Sequence, residues 1–254
     1  MRGDQHTRGG YADQPASDTI MVQEPFKAIL FDLDSTLCRY RLTVAEVIEQ
    51  ALDRIGVKAQ SLGSPESLAK DYNVAWWTAE DTLDLPTNEL RRAAWKVLLE
   101  RRGVEDPELA VRVADAYSTV REETGLELFE GARGLLQALR GRYRVGILTN
   151  GPSDMQWTKL RDLELVDAVD AIVVAGDLGI FKPDPRPFQQ LLEVLDADAS
   201  DGLFVGDSYE HDIVGARSVG LRTAWVTPDG AQTPDGLPVD FVVNHATDLR
   251  EVLL

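Results

Sequence analysis

Two aspartates one residue apart, Asp32 and Asp34, end the apolar run in KAILFDLDSTL, which spans Lys27 to Leu37. Alternate side chains of an extended chain point the same way, so both carboxylates are expected at one spot. Like charges that close repel and shift each other's protonation, and burial adds to the cost. Positive charge must therefore come from elsewhere in the chain. GILTNG delivers Thr149, Asn150 and Gly151, FKPDPRPF fixes Lys182 beside prolines, and LFVGDSYEHD delivers Asp207 and Asp212. A divalent cation among Asp32, Asp34 and Asp207 would absorb the repulsion, and oxygen-only ligands suit Mg2+. Lys182 would add a further positive charge. The Thr149 hydroxyl, the Asn150 side chain and free backbone N–H groups suit phosphate oxygens. A carboxylate between such a cation and such donors is suited to nucleophilic phosphoryl transfer.

The elements that must position these groups follow from hydrophobic periodicity. Thr43 and Glu46 have capping-box spacing, and Val44, Val47, Ile48, Ala51, Leu52 and Ile55 follow a helical repeat up to Gly56. Ser64-Pro65-Glu66 reads as a second helix start. TNELRRAAWKVLLERRG reads as a third helix and DPELAVRVADAYSTVREE as a fourth, with no strand pattern between residues 43 and 123. From Phe129 the texture changes to alternation. The apolar runs YRVGILT, AIVVA, GLFVGD, RTAWVT and DFVV read as strands, separated or followed by helical GARGLLQALRGR, SDMQWTKLRDLEL, PRPFQQLLEVL, IVGARSVG and TDLREVLL. Near-continuous apolar strands alternating with helices predict an α/β fold built on a doubly wound parallel sheet. In such sheets ligands sit beyond the carboxyl ends of the strands, and every candidate residue above lies at one of those ends. The expected organisation is a core from residues 25–41 and 127–254, an all-helical insert at 42–126, and a polar, disordered extension at 1–24. PDGAQTPDG, 228–236, reads as a turn region.

Composition bounds the function. The 254-residue chain is 44% hydrophobic and 27% charged, ordinary values for a globular protein with a sizeable core. A net charge of −17 argues against a nucleic-acid partner, whose phosphates need a basic footprint. An anionic small-molecule substrate must then find a local exception to the global field. Cys38 is the only cysteine, so no intramolecular disulfide forms, which fits a reducing, cytoplasmic setting. No stretch approaches the roughly 20 apolar residues of a membrane helix, and residues 1–20 contain no signal-peptide apolar region.

Taken in order, DxDxT at Asp32–Thr36, the Thr149-Asn150-Gly151 strand end, Lys182 before PDPRPF, and GDxxxxD ending at Asp212 resemble the haloacid dehalogenase superfamily. The resemblance is to its phosphatases with a helical cap inserted after the first motif, and it covers Phe26 to Leu254. It implies a Rossmann-like core and a double displacement on a small phosphorylated metabolite. Asp32 would be the nucleophile that becomes an aspartyl-phosphate, and Asp34 the general acid and then base. Mg2+ would be held by the Asp32 carboxylate, the Asp34 backbone carbonyl and Asp207, with Asp212 supporting the shell. Lys182 would steady Asp32 and the phosphate, and Thr149, Asn150 and Gly151 would bind phosphate. The presence of Asp34 disfavours the dehalogenase branch. The family's usual glycine after the second aspartate is Ser35 here, a difference confined to local loop geometry. A phosphomutase of the same superfamily and a non-catalytic phosphate-binding scaffold are the alternatives. The assembly is expected to be a monomer or a homodimer.

Other groups have plainer readings. Cys38 is expected as a small packed residue, Ser208 as structural and His211 as a solvated loop histidine. Asp212 is expected either to cap the helix after it or to support the metal. Trp76, Trp77 and Trp95 are expected as cap core more than as a stacking surface. Arg91 and Arg92 are read as charges of a solvated helix face. Arg39, Tyr40 and Arg41 sit where the chain enters the cap.

Overall fold

The computed structural model describes residues 26–82, 85–227 and 238–254. The extension at 1–24 and the turn region at 228–236 lie outside the described residues. Six strands form one parallel sheet in the order β5-β4-β1-β6-β7-β8. Along the chain these are β1 (Ala28–Phe31), β4 (Arg144–Thr149), β5 (Ala171–Val174), β6 (Gly202–Gly206), β7 (Arg222–Val226) and β8 (Phe241–Val243). β1 lies at the centre, with Phe31 opposite both Ile147 and Val205. Both faces of β1 and β6 are buried, which is why those runs are apolar without alternation. Ile29 and Phe31 enter a core layer with Leu135, Leu136 and Leu160. Ala28 and Leu30 face the opposite layer with Phe188, Leu191 and Phe204.

The helices that cover the sheet are α5 (Ala132–Leu139), α6 (Ser153–Asp162), α7 (Ala175–Leu178), α8 (Pro185–Leu195), α9 (Gly215–Ser218) and α10 (Arg250–Leu253). Between β1 and β4 come α1 (Val44–Arg54), α2 (Pro65–Thr82), α3 (Thr87–Arg101) and α4 (Pro107–Thr124). These four carry their own hydrophobic cluster, with Ile48, Leu52, Leu68, Trp95, Leu98 and Tyr117 at its centre. The Thr43–Glu46 capping box forms, with Thr43 N–H donating to Glu46 Oε2 (2.8 Å) and Glu46 N–H to Thr43 Oγ1 (3.3 Å). α4 starts on Asp106, whose carboxylate accepts from Leu109 N (2.9 Å).

Two features differ from the periodicity reading. The chain enters and leaves the helical region through an antiparallel ribbon, β2 (Cys38–Tyr40) with β3 (Leu126–Leu128), pairing Cys38 with Leu128 and Tyr40 with Leu126. Three residues are too few to display a period of two. Second, IVGARSVG is not one helix: Tyr209–Val214 is a π-helical turn, and α9 begins only at Gly215.

Candidate active site

Asp32 is the first residue past β1, held by its N–H to Val205 O (2.8 Å), and its carboxylate is buried. Lys182, also buried, reaches it from the loop after α7. Its Nζ lies 2.7 Å from Asp32 Oδ1, 2.7 Å from Asp212 Oδ1 and 3.1 Å from Leu148 O. The lysine loop is itself fixed by Asn150, whose amide accepts from Lys182 N (2.8 Å) and donates to Lys182 O (3.0 Å). The Asn150 side chain is therefore spent on positioning Lys182, whereas the sequence reading gave it to phosphate. Thr149 is buried beside it, its hydroxyl donating to Asn150 O (3.2 Å).

Asp207 ends β6, and its carbonyl accepts from Trp225 Nε1 (2.8 Å). Asp212 lies in the π-helical turn rather than at the start of α9. Its Oδ2 takes Ser208 N–H (3.0 Å), so it shapes its own loop and pairs Lys182 at once. Gly206 makes room for it: a Cβ there would sit 2.4 Å from Asp212 Cγ. Ser208 does cap this turn, and its hydroxyl accepts from His211 N (3.2 Å). Cys38 is fully buried in β2, where burial and then Asp34 push its thiol up, away from reactivity.

Carboxylate oxygens of Asp32, Asp207 and Asp212 lie within 4.8 Å of one another. Three carboxylates face one lysine, a local charge of −2 when all are ionised. That imbalance raises Asp32 well above the usual carboxylate range, burial being the main cause and Asp212 adding to it against the pull of Lys182. Asp207 is raised to about 7 by burial and then by Asp212. A divalent cation would neutralise the set, and an all-oxygen donor set fits Mg2+.

Asp34 is not in this trio, contrary to the expectation that one cation would sit between it and Asp32. Its carboxylate turns to α6, where Lys159 Nζ lies 2.8 and 2.7 Å from its two oxygens and Gln156 Nε2 donates to Oδ2 (3.0 Å). Each aspartate of the pair thus has its own lysine. Burial pushes Asp34 up, but Lys159 and Gln156 outweigh it and hold the carboxyl below its ordinary value. Burial likewise works against Lys159, and Asp34 overcomes it to keep the amine charged. Neither residue was picked out from sequence. The available signal was their i, i+3 spacing with Leu160 on the buried face of α6. Ser35 follows with φ +63°, the left-handed conformation that glycine adopts freely, and this is the local geometry behind the departure from the family pattern.

Beyond Asp34 a cavity of about 440 Å3 opens between the sheet edge and the helical region. Its floor includes Asp34, Asn150 and Gln156, and its roof Tyr72, Trp76, Trp77, Arg91 and Arg121. Trp95 is fully buried in the helical core, as expected. Trp77 is not: it is 51% exposed and stacks on His211 at 6.4 Å and 26°. Arg92 is an exposed partner of Asp115 (2.9 Å), but Arg91 is buried, which corrects its reading as a solvated charge. A second link across the cleft is Thr87, whose hydroxyl and N–H meet Asp154 at 2.6 and 3.2 Å.

Residues 26–220 match the haloacid dehalogenase-like hydrolase family. The pyrimidine 5'-nucleotidase YjjG of Escherichia coli is 30% identical over 200 residues, covering 72% of this chain and 86% of that protein. The crystal structure of the putative HAD-hydrolase YfnB of Bacillus subtilis, bound to magnesium, superposes with a TM-score of 0.70 at 25% identity, covering 91% of this chain and 99% of that one. A 2-haloacid dehalogenase from Pseudomonas syringae has a TM-score of 0.63 at 31% identity, covering 90% and 98%.

Proposed function

Since the chain belongs to the haloacid dehalogenase-like hydrolase family, we propose that it is a Mg2+-dependent phosphomonoester hydrolase acting on a small phosphorylated metabolite through an aspartyl-phosphate. The observation that carries this reading is the separation of the two aspartates onto two lysines, Asp32 on Lys182 and Asp34 on Lys159. Asp32 has one oxygen pinned by Lys182, leaving the other to attack phosphorus. The bond from phosphorus to the ester oxygen then breaks, and the departing alkoxide must take up a proton. Asp34 is placed two residues on to give it, and afterwards to take a proton from the water that attacks phosphorus and frees Asp32. A halide leaves without needing a proton. The second carboxylate therefore favours phosphate ester hydrolysis over the dehalogenation of the Pseudomonas relative.

In the free protein Lys159 keeps Asp34 ionised, the form of a base, so the proton it passes to the leaving alkoxide has to arrive with the substrate, whose phosphate monoanion carries one. Asp32, Asp207 and Asp212, with the Asp34 backbone carbonyl, are the residues that would hold Mg2+. The ion supplies charge neutralisation to the phosphoryl oxygens. Lys182 adds positive charge at the same point, and Thr149 and the backbone N–H groups near Gly151 are the donors proposed for phosphate. The helices of residues 42–126 would act as the cap that excludes water and selects the leaving group. The nucleotidase activity named for the Escherichia coli relative is in keeping with this class of reaction.

The test is inorganic phosphate release from a panel of phosphomonoesters with Mg2+, beside Asp32→Asn, a chelator control and 2-chloropropionate. Turnover that disappears in both controls is the expected result. Chloride release without phosphate release would overturn the reading.

A further inference from the structure

We propose that the cap end of the cavity is an anion subsite centred on Arg91, so that the substrate's leaving group carries a carboxylate or a second phosphate. The inference rests on the phosphatase reading for the word substrate, but the subsite itself stands on the geometry of the cap.

Arg91 and Arg121 are 9% and 8% exposed, and both line the cavity that begins at Asp34. A buried guanidinium is costly unless an anion compensates it. Arg54, Arg92 and Arg102 of the same helical region each meet a carboxylate, Glu123, Asp115 and Asp71 respectively. Arg91 and Arg121 are in no ion pair among the described residues. Arg121 is used up by structure: it donates to Leu42 O (2.8 Å) and Tyr117 Oη (3.2 and 3.0 Å) and stacks over Tyr40 at 4.2 Å. Arg91 gives one hydrogen bond, from Nη1 to Ser118 Oγ (2.8 Å), and lies over the Tyr117 ring at 5.8 Å. Its remaining donors meet no carboxylate or carbonyl among the described residues.

A second observation points into the same space. Tyr72 is 4% exposed and lines the cavity, and its hydroxyl faces Arg91 while its own proton has no acceptor among the described residues. A phenol and a guanidinium, both buried and both short of an acceptor, converge on one void. An oxyanion satisfies both. Glu80 shares that wall and accepts from Trp76 Nε1 (3.0 Å), but neither arginine pairs with it. Arg39, Arg91, Arg121 and Lys159 outnumber Asp34 and Glu80 among the charged groups of the lining, in a chain whose net charge is −17. The cavity is thus the local exception that an anionic ligand requires.

Calorimetry on the full chain with Mg2+ tests this without turnover, since a C–P bond is not hydrolysed. The probes are ω-phosphonocarboxylates of two to five methylenes, alkylphosphonates of matched length, and α,ω-bisphosphonates. A charged hydrogen bond predicts that, at one or more lengths, the terminal anion tightens binding about tenfold to a hundredfold over the matched alkylphosphonate. That ratio collapses in Arg91→Gln and is partly kept in Arg91→Lys, each variant serving as its own folding control through the alkylphosphonate. Carboxylate against bisphosphonate identifies which anion is preferred. Equal or undetectable binding across all pairs in the wild type overturns the subsite, as does a ratio that survives Arg91→Gln. Phosphate release from the corresponding esters is scored separately: a preserved binding ratio with no release keeps the subsite and sinks the hydrolase reading.

Discussion

Lys182 is the one amine that pairs both buried carboxylates, Asp32 and Asp212, so its removal leaves two of them without a partner charge. Burial alone would depress its pKa, but Asp212 and Asp32 outweigh that and keep it charged. Lys182→Met leaves Asp32 and Asp212 buried without a counter-charge, an arrangement that costs about 3–5 kcal/mol. Chemical denaturation should register that loss, and added Mg2+ should recover part of it; a variant as stable as the wild type would contradict the pairing. Asp32→Asn should lower phosphate release by about a thousandfold or more, since it removes the attacking oxygen. At this scale the sequence displayed the residues at strand ends, because Asp32, Thr149 and Asp207 each close an apolar run and Lys182 and Asp212 lie in the segments that follow two such runs. It concealed Gln156 and Lys159, which lie inside an amphipathic helix and look like ordinary polar positions until the tertiary fold turns that face toward Asp34.

Helices and turns show a similar division. Arg91 shares a stripe with Trp95 and Leu98, spaced i, i+4 and i+7, so periodicity does place it inside and leaves Arg92 outside. Residue type pulled the reading the other way. The tryptophans follow burial more than composition. Trp95→Ala empties a fully buried site and should cost about 3–5 kcal/mol. Trp77→Ala should cost under about 1 kcal/mol, being half exposed, while altering the ranking of leaving groups through the cavity wall and its contact with His211. Thermal melts and a substrate panel on the two variants separate these outcomes. Gly206→Ala is the corresponding probe of the π-helical turn. Its added methyl displaces the Asp212 carboxylate from Lys182, so Mg2+ affinity should fall at least tenfold by titration calorimetry. From sequence that stretch looks like loop followed by helix, because a π-helical turn has no composition of its own.

For the molecule as a whole, the parallel sheet was legible because its central strands are apolar on both faces, and the helical region because its repeats run unbroken from Thr43. The short ribbon between them was not. Among the described residues no helix is long and apolar enough to cross a membrane. The candidate metal trio links metal binding to protons. Asp207 is raised from 3.8 to about 7 in the folded chain. A raised carboxyl stabilises the metal-free fold fully below about pH 4, and that contribution fades as pH climbs through about 7. Mg2+ must displace the same proton, so its stabilising effect should be larger at pH 8 than at pH 6. Melting temperatures with and without Mg2+ at both values check this, and equal gains would contradict it.

The ribbon of β2 and β3 also governs the order in which the chain can be assembled. Among the described residues β1 is the first strand synthesised, yet Ala28 pairs with Arg144 and with Gly202, more than a hundred residues later. Such distant pairings are slow to form, because a long stretch of chain must first be closed. The helical region is rich in near neighbours and can condense by itself, and zipping Cys38 against Leu128 then draws its two ends together. Once that happens, β1 meets the rest of the sheet across a gap far shorter than the primary structure suggests. The same ribbon that joins the helical region to the sheet would then serve as a kinetic shortcut for the central strand.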